Sequence, residues 1–475
     1  MMPETTTLPA FYIPGLEESD FKEFVPLEFG YDGIRVKMNA PVLTPDILTK
    51  TIDSLLAARE EYLVKKPVLE IAETIGKVVE LWRNPEYPLR RLAVKLLPVI
   101  TRFSAPMVEL TLGGISAMFS TENLKLLLED EFEDPLVLDE FRPRKRSGGY
   151  IRAYGPSLTT IVFAGNAPGA SMLNTIYSLL LKSAVLGKSA SEEPLFATLF
   201  ARSIAEVDPQ LARCVAMVLW KGGNEEIERL AFSRSDAVVV YGSEHSVNDA
   251  RKRVPPDVKL LSYGHKLSFG VIGREALSAE RVKDTAANAA ANVSMLDQQG
   301  CVSPHVFYTE EGGEITPKEF SGYLAEAMEQ FNQRIPRGRI TPDESAHINQ
   351  LRGSYEFRAF GDDGVALHMS SQGTSWTVIY EQDPTFVPSC LNRTIRVKPV
   401  KDVMDVVRLV TPIKQYLQTM GAALPEERLM PLAEEMGKLG LDRIPKLGEM
   451  AGPSILWRHD GRFNLLDFVR WTGIE

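Results

Sequence analysis

The stretch LTTIVFAGNAPGASMLNTIYSLLLKSAVLGKS, residues 158–189, contains the pattern that decides the fold. An apolar, β-branched run ends at Gly165, apolar positions at helical spacing follow, and a second apolar run ends at Lys188. Short buried strands that alternate with helices are typical of βα units on a parallel sheet. The stretch therefore predicts an α/β fold.

The same alternation continues toward the C-terminus. Further strands are predicted at RCVAMVLW (213–220), AVVVYGS (237–243) and VKLLSYG (258–264), with helical patterns between them. Five such strands indicate a doubly wound, Rossmann-type domain of the kind that binds nucleotides at the carboxyl ends of its strands.

The rest of the chain divides around this domain. We expect an NAD(P)-binding domain with N-terminal helices, a catalytic α/β domain and a small oligomerisation arm. The region 335–395 is predicted to be irregular, and residues 454–457 to form an apolar strand before an HDG turn. The expected boundaries are 1–45 (hairpin-rich segment), 46–135 and 155–285 (cofactor domain), 286–450 (catalytic domain), and 136–154 with 451–475 (arm).

Composition excludes several classes of protein. The 475 residues carry a net charge of -10, which argues against nucleic acid as the main partner. No apolar run is long enough to cross a bilayer and the first residues do not resemble a secretory signal, so a cytoplasmic location is expected. The basic stretch RPRKRSGG (142–149) is either a solvated turn or an anion- or partner-binding patch.

The stretch SMLDQQGCVSP (294–304) places one of three cysteines after a glycine. If a helix begins here, its N–H groups would stabilise a Cys301 thiolate and an oxyanion formed at an attacked carbonyl. The alternative is a buried structural cysteine. Cys214 and Cys390 lack this context and are expected to be structural.

Two turns after predicted strands are candidate ligand-binding loops. FAGNAPGA (163–170) offers the Asn166 amide to an oxyanion and lets a cofactor approach at Gly165. In VVVYGSEH, Gly242 and Ser243 precede a helix, where N–H groups and a hydroxyl suit a phosphate. A tight turn and a plain helix cap are the respective alternatives. No motif predicts a metal site.

Taken together, these stretches resemble the aldehyde dehydrogenase superfamily over roughly residues 150–450. GNAP matches the family's strand-end asparagine, Lys188 in AVLGKSASEEP its adenosine-ribose lysine, and YGSEH its phosphate-side Gly-Ser. YGHKLSFGVI matches its Gly-Gly-Lys segment, and Cys301 its nucleophile. More narrowly, GNAPG, YGHK and DQQGCVSPH resemble the long-chain acyl-CoA reductases related to the fatty-acid reductase of bacterial bioluminescence.

The sequence departs from the superfamily at three places. Ser262 or Tyr263 stands where oxidative members carry the glutamate that activates water, so an acyl-enzyme would escape hydrolysis. The segment FVPSCLN lacks the Glu-x-Phe-Gly motif that holds the nicotinamide ribose. Ser191 replaces the glutamate that grips the adenosine ribose, which favours NADPH over NADH, although Glu192 is adjacent.

The resemblance implies that Cys301 takes an acyl group from a fatty acyl-CoA or an acyl-carrier protein. NADPH would reduce this thioester to an aldehyde while the Cys301 N–H and Asn166 hold the oxyanion. His265 is a possible proton donor; a solvated structural role is the alternative for His265, His245 and His305. Lys266 either pairs with a phosphate or holds its loop.

The resemblance also implies a homodimer or tetramer, and an acyl-protein synthetase or acyltransferase as a possible partner. Three rival functions stay open. They are a CoA-acylating short-chain aldehyde dehydrogenase, a non-catalytic scaffold, and a thiol hydrolase, which the missing carboxylate disfavours.

Overall fold

The computed structural model describes residues 4–145, 147–165 and 168–475. The chain forms two compact units, one of residues 4–101, Val108–Gly264 and Arg462–Glu475, the other of Arg102–Met107 and His265–Gly461. None of the described helices is both long and apolar enough to span a bilayer.

The first unit is built on a five-stranded parallel sheet. Its helices are α1 (Pro45–Ala58), α2 (Val68–Arg83), α3 (Pro88–Thr101), most of α4 (Ala105–Met118), α5 (Thr121–Phe132), α6 (Ser171–Leu180), α7 (Leu195–Val207), α8 (Pro209–Ala212), α9 (Glu225–Ser233) and α10 (Glu244–Arg251). Its strands are β1 (Glu4–Pro9), β2 (Phe24–Tyr31), β3 (Ile34–Pro41), β4 (Arg142–Pro143), β5 (Tyr150–Tyr154), β6 (Leu158–Val162), β7 (Ala184–Lys188), β8 (Val215–Val218), β9 (Ala237–Tyr241), β10 (Lys259–Tyr263) and β17 (Arg470–Ile474).

The order of the central sheet is β10-β9-β6-β7-β8, with every pair parallel. Leu158, Leu186, Val218 and Val240 are buried, because helices cover the sheet and leave its strands no solvent face. All five predicted strands are confirmed. Since β6 lies between β7 and β9, the residues that follow these three strands meet at one edge of the sheet.

Two small sheets complete this unit. The N-terminal sheet has the order β1-β3-β2, in which β2 and β3 form one antiparallel hairpin. The C-terminal strand β17 pairs antiparallel with β5, which joins the two segments predicted as the arm. The tail thus packs on its own chain. The predicted strand at 454–457 is wrong, because this segment is irregular and leads into a 3₁₀ turn at His459–Gly461.

Two basic residues of the stretch at 142–149 form ion pairs with nearby acidic residues. Arg142 pairs with Asp134 and Glu140, and Lys145 pairs with Glu133. Arg146 lies outside the described residues. The observed ion pairs favour a solvated turn over an anion-binding patch.

The second unit contains a six-stranded sheet of order β13-β14-β15-β12-β11-β16, in which only β13 and β14 pair antiparallel. Its strands are β11 (Leu267–Ile272), β12 (Pro304–Glu310), β13 (Val365–Met369), β14 (Thr377–Glu381), β15 (Thr394–Val400) and β16 (Leu417–Ala423). Its helices are α11 (Val282–Ser294), α12 (Pro317–Arg334), α13 (Pro342–Ala359), α14 (Asp405–Val410) and α15 (Glu426–Lys438). The unit begins at His265 because β11 pairs with β12 and β16, whereas the sequence analysis placed this segment in the cofactor domain.

The region 335–395 is not irregular, which corrects the prediction. It contains α13, β13 and β14. Helix α13 begins with a capping box in which Thr341 and Glu344 exchange hydrogen bonds. Few of its side chains are buried, so the apolar periodicity that predicts a helix is weak, but the Thr-Pro-Asp-Glu signal was present in the sequence.

Candidate functional site

Cys301 lies in a turn directly before β12, in the second unit. Its residue surface is exposed. Its carbonyl accepts a hydrogen bond from Ser268 Oγ on β11 at 2.8 Å, and Ser268 Oγ accepts from the Thr419 N–H on β16 at 3.2 Å. The backbone of Cys301 is therefore tied to residues near the starts of two adjacent strands.

Several polar groups act on the Cys301 sulfur. They are the backbone N–H groups of Cys301 and Val302, the Gln418 amide and the Asp460 carboxylate. Desolvation of the sulfur, with a contribution from Asp460, raises the pKa of the thiol to about 11, although the donors oppose this shift. The free protein therefore holds Cys301 as a neutral thiol at pH 7.

The local structure differs from the helix start considered in the sequence analysis. The turn at Cys301 leads into β12 and not into a helix. The stabilising field of a helix N-terminus is consequently absent here, and the expectation of a resting thiolate is corrected. Cys214 is buried in the first unit, and burial raises the pKa of its thiol to about 12, in line with a structural role.

The loop that leads to Cys301 contains a left-handed turn at residues 296–298, where three non-glycine residues have φ between 50° and 67°. A second turn of this kind occupies residues 391–393, with φ between 55° and 64°. Each such residue costs about 1 kcal/mol relative to an ordinary conformation, so surrounding contacts must hold both turns.

Buried side chains join these two turns. Arg393 Nε donates to Asp297 Oδ1 at 2.9 Å, and Gln299 Nε2 donates to Asn392 Oδ1 at 3.1 Å. Gln298 Nε2 donates to the carbonyls of Pro304 and Thr394, and its Oε1 accepts from the Thr394 N–H. The second turn thus fixes the segment just before Cys301.

The second turn overlaps the end of the segment FVPSCLN, residues 386–392. In the described part of this segment, as in its sequence, no glutamate is available to hold a ribose, and Ser389 instead donates its N–H to His305 Nδ1 at 3.0 Å. Cys390 is half-buried beside Arg352.

The predicted histidines differ in their surroundings. His265 is exposed, with its ring 5.9 Å from that of Tyr416, and His245 is exposed on α10. His305 is buried, which corrects the expectation that it is solvated. Burial, with a contribution from His265, lowers the pKa of His305 to about 4. The imidazole of His305 is therefore neutral.

In the first unit, the residues that the resemblance assigns to cofactor binding lie at one edge of the parallel sheet. Lys188 ends β7 and Gly165 follows β6, its parallel neighbour. A Cβ added at Gly165 would lie 3.3 Å from Glu192 Oε2. Because glycine has no side chain, the Glu192 carboxylate can lie close to this position. Burial lowers the pKa of Lys188, and Glu192 opposes that shift. Ser191 is exposed beside them.

Gly242 and Ser243 lie at the same edge, after β9. Ser243 Oγ accepts the N–H of Ser246 at 3.2 Å and caps α10, as in the helix-cap alternative of the sequence analysis. The Gly242 N–H donates to the Tyr263 carbonyl. Asn166 lies outside the described residues. Lys266, in the second unit, has its Nζ 3.8 Å from Asp442 Oδ2, which favours a loop-holding role.

Sequence reasoning missed Gln418 and Asp460 as residues that act on Cys301. Gln418 lies on β16, and Asp460 lies in the HDG turn, which was noted only as a turn. No motif spacing connects them to Cys301, because the strand order of the second sheet brings them together.

Comparison with known proteins agrees with this architecture. A sequence model described as acyl-CoA reductase (LuxC) matches residues 63–471. The long-chain acyl-protein thioester reductase of Photorhabdus luminescens is 25% identical over 413 residues, covering 86% of this chain and 82% of that protein. The enzyme of the same name from Aliivibrio fischeri is 23% identical, with 93% and 88% covered.

Solved structures show the same fold at low sequence identity. Aldehyde dehydrogenase 21 from Physcomitrella patens superposes with a TM-score of 0.74 at 12% identity, covering 100% of this chain and 98% of that chain. A salicylaldehyde dehydrogenase from Pseudomonas putida gives a TM-score of 0.73 at 13% identity, with 99% and 98% covered. The aldehyde dehydrogenase-like fold is confirmed, and with residues 63–471 matched the chain belongs to the LuxC acyl-CoA reductase family.

Proposed function

We propose that this protein reduces long-chain fatty acyl thioesters, carried by coenzyme A or by a protein, to fatty aldehydes through an acyl-enzyme on Cys301 and with NADPH as reductant. The observation that supports it most is the exposed Cys301, which lies in the turn before β12 with its carbonyl held by Ser268 Oγ. Membership of the acyl-CoA reductase family supports the substrate class.

In the first half of the reaction, the Cys301 sulfur bonds to the thioester carbonyl carbon. The bond from that carbon to the carrier sulfur breaks, and the thiol proton of Cys301 leaves with the carrier as its new thiol. Because the resting thiol is neutral, this proton must move during attack. The N–H of Cys301, with the proposed help of Asn166, stabilises the oxyanion.

Residues of the first unit fit a nicotinamide dinucleotide. Lys188 offers a cation and Gly165 leaves space at the carboxyl edge of the sheet, while the start of α10 beside Ser243 suits a phosphate. When bound, the reduced nicotinamide supplies hydride to the thioester carbonyl. Lys188 favours the 2'-phosphate of NADPH, whereas the Glu192 carboxylate opposes it.

A second candidate is thioester hydrolysis. Ser262 and Tyr263 lack a carboxylate, but Asp460 supplies one near Cys301. Since an oxygen of Asp460 accepts from Gln418 at 2.6 Å, it is engaged and less available as a base. Reduction to the aldehyde is therefore preferred.

The test measures NADPH oxidation and aldehyde release with acyl-CoAs of several chain lengths. We expect long-chain substrates to turn over and Cys301→Ala to be inactive, while Cys390→Ala, the matched control, retains activity. A radiolabelled acyl group should be held on Cys301 in a hydroxylamine-sensitive bond. Retained turnover in Cys301→Ala would overturn the mechanism.

Other reaction products would identify one of the alternative functions. Free acid formed without NADPH consumption identifies the hydrolase, and activity confined to short chains identifies the short-chain dehydrogenase. Absence of any label identifies a scaffold.

We also propose that the protein forms a homo-oligomer and receives acyl groups from an acyl-protein synthetase. The exposed Trp471 and Ile474 on β17 support an assembly surface. Light scattering with and without Trp471→Ser tests the assembly, which should dissociate in the variant.

A further inference from the structure

The Gln298 side chain connects the two ends of the turn that carries Cys301. Gln298 precedes residues 299–303, and Pro304, which follows them, is the first residue of β12. Gln298 Nε2 donates to the Pro304 carbonyl at 2.8 Å. One hydrogen bond from a side chain therefore closes the turn around Cys301.

The same amide also reaches the start of the neighbouring strand β15. Gln298 Nε2 donates to the Thr394 carbonyl at 2.9 Å, and Gln298 Oε1 accepts the Thr394 N–H at 2.9 Å. Strands β12 and β15 are parallel, and their paired register begins at Val306 and Arg396, two residues beyond Pro304 and Thr394. The amide thus joins the two strands at the end where their own pairing has not yet begun.

The proline at the start of β12 explains why a side chain is needed here. Pro304 has no N–H, so it cannot donate a hydrogen bond to β15. A glutamine amide offers two N–H bonds and one carbonyl oxygen, the same kinds of group as a peptide unit. The buried Gln298 amide therefore takes the place of backbone between the first residues of the two strands.

The backbone conformation at Gln298 would suit a different residue. Its φ is 67°, in the left-handed region that glycine adopts at little cost and that costs glutamine about 1 kcal/mol. A buried amide is also unfavourable unless its polar atoms are bonded, and both are bonded here. The hydrogen bonds of the side chain thus offset an unfavourable backbone conformation.

We propose that Gln298 is a positioning residue for the Cys301 nucleophile, and that its amide keeps the turn 299–303 in shape by holding Pro304 and Thr394. The inference rests on the proposed acyl reduction and adds a residue to it. Gln298 acts through the backbone of the turn and not on the reacting atoms.

Neighbouring contacts make the role of Gln298 local. The Cys301 carbonyl is bonded to Ser268 Oγ at 2.8 Å, and Arg393 Nε donates to Asp297 Oδ1 at 2.9 Å. Without the Gln298 amide, these bonds still hold the chain on both sides of the turn, but the ends of the turn are no longer joined to each other or to β15. We therefore expect Cys301 to shift while the unit stays folded.

The first test compares aldehyde formation by Gln298→Met and by its matched control, Leu296→Met. Methionine has the length of glutamine but cannot make these hydrogen bonds, and Leu296 lies in the same left-handed turn. We expect Gln298→Met to lower kcat about tenfold or more at a KM within about twofold of the wild-type value, because a misplaced nucleophile attacks slowly without weakening substrate binding. Leu296→Met, a volume-conserving change, should keep the wild-type kcat.

Gln298→Gly separates the role of the amide from that of the backbone. Glycine suits the φ of this position, so Gln298→Gly should keep the wild-type kcat if only the backbone conformation matters. If the amide closes the turn, Gln298→Gly should lose activity as Gln298→Met does. A wild-type kcat in either of these variants would overturn the inference.

The second test needs neither substrate nor cofactor. The free protein is alkylated with iodoacetamide at pH 8, and the Cys301 and Cys214 peptides are quantified by mass spectrometry. Because a released turn opens more readily to water and reagent, Cys301 should react several-fold faster in Gln298→Met than in Leu296→Met. Cys214, which is buried in the other unit, should react at the wild-type rate.

An unchanged Cys301 rate in a folded Gln298→Met protein would contradict the inference. Faster labelling of Cys214 would show that this variant is unfolded, and Gln298→Gly then decides by the same two measurements. A wild type that makes no aldehyde overturns the proposed function alone, since the alkylation rates report on the turn without any reaction.

Discussion

Arg393 donates from Nε to Asp297 Oδ1 at 2.9 Å and joins two left-handed turns that are far apart in sequence. The Arg393 side chain is completely buried. Burial raises the pKa of Asp297 despite the guanidinium beside it, so desolvation outweighs the attraction within this pair. The pair specifies the geometry of the segment before Cys301 more than it adds stability.

Arg393→Met should destabilise the protein by about 3 kcal/mol, because it leaves the Asp297 carboxylate buried without its main partner. Urea unfolding measures this loss. Arg281→Met, at an exposed position of the same unit, is the matched control and should change stability by less than about 0.5 kcal/mol. Equal effects of the two substitutions would show that the ion pair does not hold the turns.

His305 should make stability depend on pH. Its pKa is lowered to about 4 in the folded protein, against an ordinary value of about 6.5. Between these values the unfolded chain binds a proton that the folded chain does not, so stability falls as the pH is lowered from 6.5 to 4. The full effect of this group is about 3 kcal/mol.

His305→Gln removes this titration while keeping an acceptor for the Ser389 N–H. Urea unfolding at pH 4, 5, 6 and 7 should give a shallower decline for the variant than for the wild type. Parallel pH profiles of the two proteins would contradict the assignment.

Glu192 should tune the choice of nucleotide. Its carboxylate lies beside Gly165 and acts on Lys188, so Glu192→Gln should tighten NADPH binding several-fold and leave NADH binding unchanged or weaker. Fluorescence titration of the free protein measures both affinities. Ser191→Ala is the control. If Glu192→Gln tightens NADH binding instead, the carboxylate does not face the ribose 2' position.

Gly169 should not tolerate a side chain. Its φ is +83°, and a Cβ would lie 3.0 Å from Ile115 Cγ2, so Gly169→Ala should cost about 1 to 2 kcal/mol. In Gly114→Ala, within α4 and with nothing near the added Cβ, stability should instead rise by up to about 1 kcal/mol. Thermal unfolding of both variants tests the contrast in sign.

Much of the fold could be predicted from the sequence because local patterns of apolar residues specify its strands and helices. The apolar runs before Gly165, Lys188 and Gly242 are adjacent parallel strands, and the loops predicted to bind ligands follow their ends. Helix α13 was missed because few of its side chains are buried and apolar periodicity was weighed above its capping box. The helix expected at Cys301 was wrong, since Pro304 and the residues after it form β12.

The sequence itself determined the order of strands and helices along the chain, through periods of two and 3.6 residues. It also determined which of the three cysteines is exposed, and at which edge of the sheet Lys188 and Ser243 lie. The neighbours of the Cys301 sulfur were decided only by the tertiary structure. Gln418 and Asp460 reach it because β11 joins β12 to β16, and pairing between distant strands leaves no periodic signal along the chain. The protonation of Cys301 depends on desolvation and on charges brought close in space, which no local pattern contains.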